Sequence, residues 1–140
     1  MQFEETENKD GFYATWTVAG TSAATAGNYP IFFTARFPCE VLRVTERHET
    51  AGSDAGAVTL DVMKVPDATA IASGSSVLAS TFNLKSTANT LVSKQGVNLS
   101  ANRQLKENQS LALLTSGTLT ALVGVHVTVY LKYLGRGSYR

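Results

Sequence analysis

The stretch LTALVGVHVTVYLKY, Leu119–Tyr133, is the longest extended run in the chain, and the fold class turns on it. Successive side chains on a strand point to opposite sides, so Ala121, Val123, Val125, Val127, Val129, Leu131 and Tyr133 share one face. Gly124, His126, Thr128, Tyr130 and Lys132 share the other. One apolar and one polar face predict a strand that packs on a core with one side and meets solvent or a partner with the other. No stretch of the chain sets apolar residues at helical spacing with a cap at each end, which argues against alternating βαβ architecture.

Outward from this run, the same period of two recurs. Phe12, Ala14, Trp16 and Val18 alternate with Tyr13, Thr15 and Thr17, predicting a first strand. Ile31–Phe37 predicts a second, ended by Pro38, which cannot donate to a ladder. In Glu40–Glu49, Leu42, Val44, Glu46 and His48 alternate with Val41, Arg43, Thr45 and Arg47; the polar far half is expected to project past the core. The glycines and aspartate of Thr50–Gly56 predict a turn closing a hairpin onto Val58–Met63. Asp67–Ser76 reads as loop, with a helical turn at Ser76–Ser80, and Phe82–Leu99 as short strands broken by polar stretches. Ser110–Thr115 is a further strand, joined through Ser116–Gly117 to the long run. About eight short strands predict an all-β, antiparallel two-layer sandwich, jelly-roll-like in its leading version. The expected organisation is an acidic arm over residues 1–11, the sandwich over 12–134 and a basic tail over 135–140.

Composition supports one small β domain. The chain is 44% hydrophobic but only 16% charged, against roughly 25% charged in an average domain; Ser, Thr, Ala and Gly take the place of the missing charge. A formal net charge of +1 without a basic cluster gives no electrostatic reason to expect nucleic acid. The single cysteine, Cys39, excludes an internal disulfide framework and cannot hold zinc alone. Residues 1–10 lack the basic start and apolar core of a signal peptide, and no apolar segment approaches the ~20 residues of a membrane-spanning helix. Neither nucleic acid nor membrane is therefore an expected partner.

Candidate chemistry is sparse. The string Arg43, Glu46, Arg47, His48, Glu49 is the densest ionisable group, yet its alternating faces suit a solvated or interface-facing strand end better than an acid–base site. His126 sits between valines without a carboxylate neighbour, Cys39 reads as buried filler, and Asp54, Asp61 and Asp67 lack calcium-loop spacing. No catalytic residue, metal ligand or cofactor is expected. Trp16 belongs to the core. Tyr13 and Tyr130 fall on the polar sides of their strands and are candidates for an external contact, a carbohydrate ring among them. Charge separates at the ends, with Glu4, Glu5, Glu7 and Asp10 near the start and Lys132, Arg136 and Arg140 near the finish. These residues are candidate partner contacts.

Three pieces of the second half, VTLDVMKVP (58–66), AIASGSSVLASTFNLKSTANT (70–90) and LKENQSLALLTSGTLTALVGVHVTVYLKY (105–133), together resemble small virion proteins of tailed bacteriophages. The resemblance implies a β-sandwich head-decoration, cement or fibre component. It points to a capsid decoration or cement protein partnered by the major capsid protein, made in the host cytoplasm and carried in the virion. The alternative is a receptor- or carbohydrate-binding module of a tail or fibre. Exposed sheet edges need protection, and the oppositely charged ends could join copies head to tail. A homo-oligomer is therefore expected; the resemblance suggests a trimer, because such proteins often occupy capsid threefold positions.

Overall fold

The computed structural model describes residues 11–18, 29–97 and 100–134. Glu4, Glu5, Glu7, Asp10, Arg136 and Arg140, with the bulk of the expected arm and tail, lie outside the described residues.

Ten antiparallel strands are present among the described residues: β1 Gly11–Val18, β2 Ile31–Thr34, β3 Cys39–Arg47, β4 Thr59–Val65, β5 Ser75–Ser76, β6 Phe82–Asn83, β7 Val92–Gln95, β8 Gln104–Leu105, β9 Ser110–Ser116 and β10 Val125–Tyr133. Three are two-residue pairings, so the longer strands are close to the number expected. They form two five-stranded sheets. The first has the order β1-β10-β3-β7, with β8 beside β3; the second runs β2-β9-β4-β5, with β6 also on β4. The chain is a two-layer β-sandwich, as its alternating pattern predicts. A 3-10 turn at Ile71–Ser73 and a helical turn at Ser100–Arg103 replace the turn expected at Ser76–Ser80.

β10 lies between β1 and β3. Its inward side chains Val125, Val127, Val129 and Leu131 are fully buried. They share one core with Leu60 and Val62 of β4, Leu111 and Leu113 of β9, and Phe82 and Leu84. Ala14 is buried in the same core, and Phe12 and Trp16 pack against it, which sets the phase of β1 as expected.

Four local expectations fail. The long run does not extend to Leu119: Ala121 and Gly124 take positive φ, at 66° each, and the strand starts only at Val125. The left-handed backbone at Gly124 is one that glycine adopts at little cost, and a Cβ there would also displace the exposed Glu49 side chain. β2 stops at Thr34, leaving Phe37 exposed. β3 and β4 form no hairpin but lie in opposite sheets; turn residues report only that an extended run is interrupted, and the connecting segment crosses the end of the sandwich, where Thr50 bridges Val123 and the Gly52 N–H donates to the Leu84 carbonyl. Lastly, β3 does not keep one alternation. Arg43 pairs with Tyr130 but Val41 pairs with Leu131, so Leu42 is an extra residue, a β-bulge that flips the phase. Cys39 and Val41 point inward before it, Val44, Glu46 and His48 after it, and Leu42 itself is exposed.

The second sheet also has an apolar patch on its outer side. Met63, Val65 and Ala112 are buried there, with Ile71 of the 3-10 turn and Leu114 packed against them. The loop read from Asp67–Ser76 thus acts partly as a cover.

Because Val127 is wholly buried in the core, Val127→Asp should cost at least ~3 kcal/mol, the burden of an unpaired carboxylate in an apolar site. Thr15→Asp, on the exposed outer side of β1, should change stability by less than ~1 kcal/mol. Urea denaturation of both variants checks the register, and comparable losses would show that it is wrong.

Candidate interaction surface

The inward register of β10 dictates what its sheet shows outside. Tyr13, Tyr130, Arg43 and Gln95 lie in one cross-strand row over β1, β10, β3 and β7. The next row is Thr15, Thr128, Thr45 and Ser93, and beyond it Thr17, His126 and Arg47; on the other side lies Gly11, Lys132 and Glu40. Strands facing solvent on one side alternate in this way.

The tyrosine row carries most of the surface character. Tyr13 is 67% exposed and meets Tyr130 edge to face, with ring centroids 4.8 Å apart. The Arg43 guanidinium lies over the Tyr130 ring, 4.4 Å from its centroid, a cation–π arrangement. Beside them the bulge opens a hollow of about 180 Å³ between Tyr13, Leu42, Arg43 and Tyr130. His126 is partly covered and hydrogen-bonded by Thr128 Oγ1 at 3.1 Å and by Thr17 Oγ1, which joins the outer rows into a hydroxyl and imidazole chain.

The structure thus brings together three of the residues singled out in the sequence: Tyr13 and Tyr130 touch, and Lys132 lies one row away. The sequence did not reveal that Arg43 belongs with them. Its only signal was membership of the ionisable string, because its place beside Tyr130 depends on a pairing between strands far apart in the chain. Glu40, the carboxylate of this face, is held by Arg103.

Glu46 and His48 contradict their reading as a solvated or interface-facing end. Both have no exposed surface. His48 Nδ1 and Glu46 Oε2 are hydrogen-bonded at 2.8 Å, and His48 Nε2 donates to the Ser86 carbonyl at 3.1 Å. Both fall on the same alternation as the buried Val44, and the core extends over this half of β3, which was expected to project past it. Burial raises the Glu46 carboxyl above its ordinary range, and the bond to and charge of His48 pull it partly back. Burial and the Glu46 carboxylate also push the Tyr29 phenol up. Glu46 Oε1 and Ser86 Oγ are buried without hydrogen-bond partners. The Ser86 hydroxyl is thus not bonded to the imidazole as a nucleophile is to its base. Cys39 is fully buried, and desolvation lifts its thiol to about 11, which keeps it in the unreactive form near neutral pH. No group of three or more histidine, cysteine, aspartate or glutamate side chains is placed to hold a metal ion among the described residues.

A second, wider hollow of about 920 Å³ opens between Phe37, Leu105 and Leu134. Lys64 lines it, its Nζ donating to the carbonyls of Ala101 and Gln104; desolvation, with Lys106 nearby, lowers its basicity.

The class these features define is a two-layer antiparallel β-sandwich presenting an aromatic and cationic sheet face. Its architecture is similar to that of a chain in the capsid of Ralstonia phage GP4, with a TM-score of 0.63 at 10% identity over 90% of this chain and 86% of that one. It is also similar to a chain in the capsid asymmetric unit of cyanophage Pam1, with a TM-score of 0.55 at 14% identity over 89% of this chain and 86% of that one. No family model and no curated protein matches the sequence. At such identities the likeness is one of fold.

The buried pair makes a pH-dependent difference measurable. A carboxyl raised by folding contributes stability that is present below its ordinary value of 4.5 and is lost as the pH rises through the folded value. Glu46→Gln, which keeps a hydrogen-bonding group toward His48, should therefore gain on the wild type as pH is raised from 4.5 to neutrality. His48→Ala should cost about 3–5 kcal/mol, because it strands a buried carboxyl. Paired denaturation curves at several pH values measure both effects; parallel curves for wild type and Glu46→Gln would contradict the first.

Proposed function

We propose that this chain is a structural protein of a tailed-phage virion, not an enzyme: a decoration or cement protein that binds the assembled capsid surface and stabilises it. The reading is supported by one observation above the others, the shared architecture over nine-tenths of the chain with chains in two phage capsids. The strand order supports it further, because successive long strands alternate between the sheets in the order β1-β10-β3-β7 and β2-β9-β4, the winding of a jelly roll, a fold common in viral capsids. The major capsid protein is the proposed partner and a trimer the proposed assembly. Tyr13, Tyr130 and Lys132 are proposed contacts, with Glu4, Glu5, Glu7, Asp10, Arg136 and Arg140 added from the charged ends.

The second reading, a receptor- or carbohydrate-binding module, draws on the exposed Tyr13 ring. The hollow beside that ring, about 180 Å³, is below the ~300 Å³ lower end of small-molecule sites, and the hollow of about 920 Å³ between Phe37, Leu105 and Leu134 is lined by neither Tyr13 nor Tyr130.

Cosedimentation with capsids of the encoding phage assembled without this protein tests the proposal. Saturable binding, with bound capsids surviving heat or chelation that opens bare ones, is the expected result. Failure to bind them, together with binding to host-surface glycans, would replace the first reading with the second.

A further inference from the structure

We infer that the outer face of β1-β10-β3-β7 is a docking surface for the acidic segment of residues 1–10 from a second copy of this chain. Three observations carry the inference, none of which depends on the capsid reading.

The first is charge. The outward positions of the four strands carry Arg43, Arg47 and Lys132, all exposed. Their carboxylate, Glu40, is already engaged by Arg103. The segment MQFEETENKD carries Glu4, Glu5, Glu7 and Asp10 against Lys9 alone. Complementary charge of this kind steers encounter and fixes register. The second is shape. The hollow beside Tyr13, Leu42, Arg43 and Tyr130 has room for one side chain, and its aromatic and cationic walls suit a ring. Phe3 is the aromatic residue of the segment.

The third is direction. Gly11 is still paired with Lys132, so the chain is extended at the point where the acidic segment joins β1. Lying back on its own face would need an immediate reversal, whereas ten extended residues span up to ~33 Å, enough to reach a neighbour and cross its four-stranded face. This relocates the receiving surface from the basic end of the chain to the sheet.

Charge exchange on the full-length chain tests the inference. Glu4→Lys, Glu5→Lys and Glu7→Lys together form one variant, and Arg43→Glu with Arg47→Glu another; thermal melts establish that both fold. Sedimentation velocity at about 0.05 M salt, where exposed charges are weakly screened, should show wild-type self-association. Each variant should associate about tenfold more weakly, and the chain carrying both sets of changes should recover. Phe3→Ala should weaken association without altering the salt dependence. A wild-type chain that stays monomeric, or a folded double set that does not recover, would overturn the inference. So would an Arg43→Glu, Arg47→Glu variant that associates normally while losing binding to an acidic oligosaccharide. Capsid binding plays no part in these readouts, so this inference can fail while the capsid-binding proposal stands, although a monomeric chain would also remove the proposed trimer.

Discussion

The structure depends on the burial of one row of side chains. Val125, Val127, Val129 and Leu131 close the core from the centre of the first sheet, and fully burying a residue of this kind contributes about 1.5–3 kcal/mol. Because β10 pairs with β1 on one side and β3 on the other, its register positions both neighbours. A slip of one residue would expose all four side chains. The outer rows are a result of that constraint: once the valines point in, Tyr130 and Lys132 must point out, and Tyr13 and Arg43 arrive beside Tyr130 through pairing alone.

The bulge at Leu42 links this surface to the interior. One extra residue keeps Cys39 and Val41 in the core near the start of β3 and also turns Val44, Glu46 and His48 inward beyond it. It places Arg43 over Tyr130 and opens the neighbouring hollow. Beyond it the fold accommodates a buried carboxyl and imidazole. Such a pair is weak evidence of stability, since desolvation opposes its attraction. Its geometry is directional, however: His48 bonds both to Glu46 and to the Ser86 carbonyl, tying β3 to the segment after β6. A β3 shifted by one residue would keep the local bond to Glu46 but lose the one to Ser86.

The outer face of the first sheet carries aromatic, hydroxyl and cationic rows. Glu46 and His48 are sealed from solvent, and the outward groups lie along the strand ladder beside a hollow of about 180 Å³, apart from the wider hollow between Phe37, Leu105 and Leu134. What the face offers is area, charge and one shallow recess, features suited to another protein surface or an extended segment.

Period and composition were enough to establish an antiparallel sandwich, the inward row of β10, the phase of β1, and the outward placement of Tyr13, Tyr130 and Lys132. These are local consequences of alternating side chains and need no knowledge of partners. Which strands became neighbours was settled by tertiary packing alone. Thr50–Gly56 reads as a turn whether it closes a hairpin or crosses between sheets, and only the competing burial of two apolar faces sends β3 and β4 apart. The bulge at Leu42 has no signature in an alternating string; it emerges because Val41 and Val44, three residues apart, must both be buried. That odd spacing puts Cys39 and Val41 in the core on the same side as Val44, Glu46 and His48, with Arg43 on the surface against Tyr130.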